Sequence, residues 1–366
     1  MSVRAVVMPG PGLPLELREF PEPEPAPGEV ILDTVAGEVC GTDVHLHHGR
    51  LSGVPYPIIP GHVSVGRVAA VNGVTHDTLG APLGIGDVVT FLDVWGTCHR
   101  CEQCAVSGQP NRCPNRRVYG ITFPLEEGLL GGWSEKIRLL PGVHILRLPE
   151  SVTPERLIGG GCGLFTGFAA VERSALAMGD TVLVQGSGPV GLAAAAFAHL
   201  RGAGRVFVIG DPPERLSLAG LFGATDSWSL AGTSPGERRE VLMELTGGRG
   251  VDRVIEAAGQ PGALAEGLGL LRDGGRYVVA GHYTDTGALS LNPHVLVNRK
   301  HAEIVGQWGT DLRHLVGALK MLDRHGDALP FERVIGARYP LERITEAMRD
   351  VETLRVTKAI VVPGQG

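Results

Sequence analysis

The strongest constraint on this chain's fold lies at its middle. Thr181-Val182-Leu183-Val184-Gln185 is an apolar, β-branched run. It ends in Gly186-Ser187-Gly188-Pro189-Val190-Gly191, and an alanine-rich segment follows to Arg201. A buried strand that enters a helix through G-x-G-x-x-G is the context in which this spacing has a mechanical meaning. The first glycine permits the tight turn, the second lets the backbone approach a pyrophosphate, and the third lets the helix pack closely on the strand. The helix start then offers free N–H groups and a positive dipole end to the phosphates. Gly186, Gly188, Pro189, Val190 and Gly191 are therefore the candidate dinucleotide-binding residues. An acidic residue about 20 positions on should take the ribose hydroxyls. Asp211 stands at that distance, with Gly210 at the strand end itself and Arg215 one helical turn later.

Around this motif the pattern alternates. Residues 205–210, 251–257, 275–281 and 304–308 read as strands, and 189–201 and 214–222 as helices. Alternation of this kind predicts a doubly wound parallel sheet covered on both faces. The first ~160 residues read differently: short β-type runs at 3–7, 29–33, 63–71 and 87–91, broken by Gly and Pro, predict a small irregular β-barrel. After Thr310 the chain is helix plus short strand, and its end at 357–362 is expected to return to that barrel. The expectation is an α/β chain of two domains, one formed by residues 1–163 with 310–366 and the other by 164–309.

Composition narrows the function. Hydrophobic residues at 43% and charged residues at 20% are those of a folded globular chain. A net charge of −6 argues against nucleic acid or an anionic membrane as partner. The 54 glycines of 366 residues follow no period, which leaves tight turns and close backbone approaches. No apolar run nears the ~20 residues of a membrane span, and residues 1–4 lack the apolar core of a signal peptide, so a cytoplasmic enzyme is expected.

The cysteines fall into two groups. Cys98-x2-Cys101-x2-Cys104-x8-Cys113 is a compact four-thiolate set, the donor set of a closed structural zinc site. Free or redox thiols are the alternative. Cys40 and Cys162 could be ordinary buried cysteines. Their surroundings argue otherwise: Cys40-Gly41-Thr42-Asp43-Val44-His45 packs a thiol, a hydroxyl, a carboxylate and an imidazole into six residues, His62 follows a Pro-Gly turn, and Cys162 sits between two glycines. Two Cys and a His with one open position make a catalytic zinc set.

These motifs, in this order along essentially the whole chain, resemble the zinc-dependent medium-chain alcohol dehydrogenases. The resemblance implies a GroES-like catalytic domain beside a Rossmann domain. It implies that Cys40, His62 and Cys162 hold a catalytic zinc and Cys98, Cys101, Cys104 and Cys113 a structural one, two zinc ions per chain. By the same resemblance Thr42 hydrogen-bonds the substrate oxygen, His45 passes the proton toward solvent, Asp43 orients the zinc-bound histidine, and Lys358 contacts the cofactor pyrophosphate. His47 and His48 have no counterpart and are read as solvated loop residues. Three positions depart from the family pattern. Val63 follows the ligand histidine where a glutamate is usual, the last knuckle gap is eight residues where seven is usual, and Gly210 takes the place of the ribose-binding aspartate.

The implied reaction moves a hydride between an alcohol, expected to be secondary, and NAD, giving a ketone or aldehyde. NAD is expected over NADP, because Asp211 would repel a 2′-phosphate and residues 212–214 carry no cation. Two other classes are the alternatives. A zinc-independent enone or quinone reductase of the same superfamily would not need Cys40, His62 and Cys162, and a non-enzymatic NAD-binding protein would not need Thr42. Val94, Trp95, Phe123, Trp133 and Trp308 could line an apolar substrate pocket or belong to the core. The expected partners are a small alcohol or ketone and further copies of the chain, as a homodimer or homotetramer, with no nucleic acid or membrane.

Overall fold

The fold is taken from a computed structural model that describes residues 2–364. Strands form at the short apolar runs of the first half: β1 (Ser2–Val7), β2 (Glu16–Pro21), β3 (Val30–Val39), β4 (Ser64–Val71), β5 (Val88–Phe91), β6 (Val94–Trp95), β7 (Arg117–Val118), β8 (Lys136–Leu139) and β9 (Ile145–Arg147). Helix α1 (Gly41–His47) follows β3, and α2 (Pro154–Arg173) follows β9. The chain then alternates through β10 (Thr181–Gln185), α3 (Pro189–Leu200), β11 (Arg205–Gly210), α4 (Pro213–Leu216), β12 (Asp226–Ser229), α5 (Pro235–Leu245), β13 (Val251–Glu256), α6 (Pro261–Leu270), β14 (Leu271–Val279) and β15 (Glu303–Gly306). It ends with α7 (Leu312–His325), β16 (Ile335–Tyr339), α8 (Ile344–Glu352) and β17 (Lys358–Val361).

The chain divides into two compact units. One comprises Met1–Gly161, Asp311–Asp323 and Phe331–Gly366; the other comprises Cys162–Thr310 and Arg324–Pro330. The sequence placed the first division two residues later and did not assign 324–330 to the second unit.

In the first unit the main sheet runs β16-β17-β3-β4-β5-β9, with β8 also on β3. β3 is its hub. Its first residues pair with β8, most of its length pairs with β4, and its last three residues pair with β17, all antiparallel. The strand expected at 29–33 thus continues to Val39. Thr34, Gly37 and Glu38 interrupt the apolar alternation, but partners on both edges satisfy the backbone there. Leu32, Val68, Val89, Phe91, Tyr119, Phe123 and Ile137 build the core. Tyr119 has Phe91 and Phe123 at ring-centroid distances of 5.2 Å each. Trp133, Phe123 and Val94, considered above as pocket residues, are buried core. Trp133 donates its indole N–H to the Glu38 carbonyl at 3.0 Å.

In the second unit six strands run in the order β12-β11-β10-β13-β14-β15, all parallel. Val182, Leu183, Val184 and Val206 to Ile209 are buried, the continuous apolar run that coverage on both faces requires. Residues 191–198 of α3 are buried without interruption, which explains a helix apolar all round. The strand order reverses between β10 and β13, so the β10–α3 turn opens at the switch point where such sheets bind ligands. Among the described residues no helix is long and apolar enough to cross a membrane.

Candidate metal and dinucleotide sites

The knuckle spans residues that cannot cohere by packing. From Gly96 to Arg117 only Cys113 is buried, and Val106 is 74% exposed. Yet Cys98, Cys101, Cys104 and Cys113 bring their sulfurs within 4.8 Å of one another. The Cys113 Sγ lies 3.6 Å from that of Cys98 and 3.9 Å from that of Cys101. A tetrahedron with ~2.3 Å Zn–S bonds has edges of about 3.8 Å, and these two S···S distances match it. The thiols share protons unevenly: a backbone hydrogen bond from Arg100 leads the drop at Cys98 to about 6, while burial and Cys101 push Cys104 up to about 12. The eight-residue gap is closed by a 3-10 turn at Pro110–Arg112 that delivers Cys113.

The second cluster is built from the end of β3. Cys40 caps α1: Thr42 N donates to its Sγ at 3.3 Å, while its own N–H donates to Asp43 Oδ2 at 2.8 Å. This reciprocal capping box fixes the thiol at a helix start, where N–H donors favour thiolate. His62 arrives on the Pro60-Gly61 turn. Cys162 follows Gly161, where non-helical backbone (φ 51°, ψ −141°) breaks α2. One ligand atom from each of Cys40, His62, Cys162 and Glu38 lies within 4.8 Å of the other three. The three sulfur and nitrogen donors read from the sequence do converge.

Glu38 was not read from the sequence. It is fully buried, with Oε1 3.1 Å from His62 Nε2 and Oε2 paired with the Lys358 ammonium. The available signal was strand period. Cys40 keeps an extended backbone (φ −137°, ψ 179°), so Glu38 and Cys40, two apart, share one face. Burial raises the carboxyl pKa values of Asp43 and Asp93, Glu38 adds repulsion to both, and His62 lowers both. Two thiols and three carboxyls gathered around one imidazole suit a divalent cation.

Lys358, expected at the cofactor pyrophosphate, is 2% exposed, with its ammonium on Glu38. His45 is half-buried, with Nδ1 3.5 Å from an Arg50 guanidinium nitrogen. Burial, then Arg50 and His48, lower its pKa. His47 meets the Leu13 carbonyl at 3.1 Å and His48 meets Glu352 at 2.6 Å; rather than lying in a loop, as expected, they are the last residue and the C-cap of α1.

In the second unit the fingerprint turn is as tight as its glycines suggest. A Cβ on Gly191 would stand 1.9 Å from the Gly186 carbonyl oxygen. A Cβ on Gly210 would stand 2.5 Å from Ser187 Oγ, so no side chain at the strand end can coexist with this serine. Ser187 donates to the Asp211 carbonyl at 3.1 Å. Asp211 itself accepts from Ser229 Oγ at 2.7 Å and from Ala231 N at 2.8 Å, so both its oxygens anchor the segment after β12. Arg215, in α4, has its pKa lowered by burial. Trp308 donates to the Tyr283 carbonyl and stacks on its ring at 5.6 Å.

Two family models match the chain: the alcohol dehydrogenase GroES-like domain over residues 26–150 and the zinc-binding dehydrogenase domain over 189–324. The 5-exo-hydroxycamphor dehydrogenase of Pseudomonas putida is 34% identical over 349 residues, 95% of each chain. The sorbitol dehydrogenase of Bacillus subtilis is 31% identical over 272 residues, 73% of this chain and 72% of that one. Among solved structures, an alcohol dehydrogenase of Thermotoga maritima superposes with a TM-score of 0.94 at 34% identity, covering 99% of both chains. With this likeness extending over both units and the zinc-type donor sets in place, the chain belongs to the zinc-dependent medium-chain alcohol dehydrogenase family and is an oxidoreductase.

Proposed function

We propose that this dehydrogenase interconverts secondary alcohols and ketones with NAD, and that it holds two zinc ions, one in the knuckle and one at Cys40, His62 and Cys162. The observation that carries the reading is the convergence of the Cys40, His62, Cys162 and Glu38 donors on one point. Zinc there supplies a Lewis acid for the alcohol oxygen, and NAD is the hydride acceptor.

The remaining work falls to the chain's own side chains. The alcohol loses a hydride from carbon and a proton from oxygen. Thr42, two residues after Cys40, accepts that proton on its hydroxyl and donates its own onward. His45, one helical turn further along α1, takes the proton toward solvent. Its lowered pKa keeps it neutral, and so able to accept, at pH 7. Asp43 holds the Cys40 peptide in its capped conformation. Orienting His62 is the further role proposed for Asp43, whose carboxylate is stabilised by the charge of that imidazole.

Gly186, Gly188, Pro189, Val190 and Gly191 would cradle the pyrophosphate. NAD is favoured over NADP because the fixed Asp211 carboxylate, followed by Pro212, Pro213 and Glu214, meets a 2′-phosphate with like charge. The relatives are named for 5-exo-hydroxycamphor, sorbitol and L-threonine, and each of these molecules carries a secondary hydroxyl. A cytoplasmic homodimer or homotetramer belongs to the same proposal, its mass readable by light scattering. The deciding experiment is turnover of a bicyclic terpenol, a polyol and a 3-hydroxy amino acid with each cofactor, before and after zinc removal. Full activity in the zinc-free enzyme would refute the reading.

A further inference from the structure

The Glu38–Lys358 pair is costly unless it has a task. Both side chains are essentially solvent-free, at 0% and 2% exposure. Desolvating two charges removes most of what their attraction returns, so a buried pair is weak evidence for a stabilising role. The fold nevertheless builds it from three distant pieces. β17 pairs with β3 so that Ile360 stands opposite Glu38. Lys358, two residues from Ile360, is the diagonal neighbour of Glu38 on the same face. The third piece is Gly161. A Cβ there would stand 2.0 Å from Glu38 Oε2 and 2.6 Å from Lys358 Nζ. The break in α2 thus leaves a notch that the ion pair fills.

The result is directional. Lys358 and the Gly161 notch occupy Oε2, which turns Oε1 toward His62 Nε2 and into the donor cluster. A tetrahedral zinc site with one nitrogen and one oxygen donor has an N···O edge of about 3.3 Å from its bond lengths, and the observed 3.1 Å is close to it. Charge permits this: the Glu38 carboxylate brings its own counter-charge in Lys358, so adding it to two thiolates and a dication leaves the sum of these groups unchanged.

We propose that Glu38 is a fourth protein donor of the Cys40–His62–Cys162 metal centre, and that Lys358 is its positioning residue rather than a contact to a cofactor phosphate. The resting centre is then closed by protein, and an alcohol must displace the carboxylate or add beside it. The proposal rests on the metal reading given above, and the test separates the two.

Metal content and zinc affinity are measured on the full-length enzyme, wild type, Glu38→Gln and the double variant Glu38→Gln/Lys358→Met, which leaves no lone buried ammonium. Cobalt(II) replaces zinc at the centre for spectroscopy. Wild type is expected to bind two zinc ions. In both variants zinc affinity of the second site should fall at least about tenfold in chelator competition. The cobalt d–d bands should move while the thiolate-to-cobalt charge-transfer bands persist. If wild type holds only the knuckle zinc, the metal reading itself fails. If wild type holds two, and both variants keep wild-type affinity and unchanged d–d bands, the Glu38 proposal alone is overturned.

Discussion

Replacing Gly161 with alanine should damage the first unit by an amount that can be worked from the structure. The backbone there has φ 51° and ψ −141°, a conformation that costs an L-residue about 1–3 kcal/mol. The new Cβ would stand 2.0 Å from Glu38 Oε2, so the carboxylate must retreat by about 1.4 Å to reach ordinary contact. That retreat breaks its pairing with Lys358 while both groups stay buried, and a broken buried pair costs about 3–5 kcal/mol. Together the loss is at least about 4 kcal/mol, a large part of the 5–15 kcal/mol that holds a domain folded. With a urea m-value near 3 kcal/mol/M, the midpoint should fall by about 1.3 M. The assay is urea unfolding of both proteins at the same zinc loading, followed by circular dichroism. A midpoint within about 0.3 M of wild type, which is under 1 kcal/mol, would show that the notch is not required and that the pair has room to move.

Three further outcomes follow from the same geometry. Cys101→Ser should remove one zinc and mainly lower stability, because the knuckle has no core of its own, whereas Cys40→Ser should remove the other and abolish turnover; metal analysis beside thermal melting distinguishes them. Thr42→Ala should lower kcat strongly, by about 100-fold or more, and His45→Gln less, since water substitutes. In wild type, alcohol oxidation should rise as His45 deprotonates, with the inflection below the usual 6.5 because burial lowers its pKa, and His45→Gln should lose that limb of the pH profile. The kcat/KM ratio should favour NAD over NADP, and Asp211→Ala should narrow it; a wild-type ratio favouring NADP, or a ratio that Asp211→Ala leaves unchanged, would remove this carboxylate from cofactor choice.

What the sequence showed, and what it hid, divides by how far apart the interacting residues lie. The strand–turn–helix at 181–201 is local, and it announced a parallel doubly wound sheet that the six-stranded order bears out. The knuckle cysteines are local too, since four thiols within 16 residues can meet by spacing alone, whereas Cys40, His62 and Cys162 were brought together by the family pattern. Glu38 was hidden because a charge inside a β-type run reads as a break in the strand. Its surroundings come from far along the chain: β17 pairs beside it, and Gly161 and His62 close on its carboxylate. Its partner Lys358 stands 320 positions away, so its basic side chain was legible while its place in the site was not.

Asp211 makes the same point at shorter range. Its place 20 residues after Gly191 could be counted from the sequence, but the commitment of its two oxygens to Ser229 and Ala231, 18 and 20 residues on, could not. Gly161 adds the sharpest case. Among the five glycines between Thr153 and Arg173 it looks like one more small loop residue, yet any side chain on it would occupy the space of an ion pair assembled from both ends of the chain. The family pattern names donors by type. Which carboxylate completes the centre is decided by sheet register, and register is a property of pairing that no single segment carries.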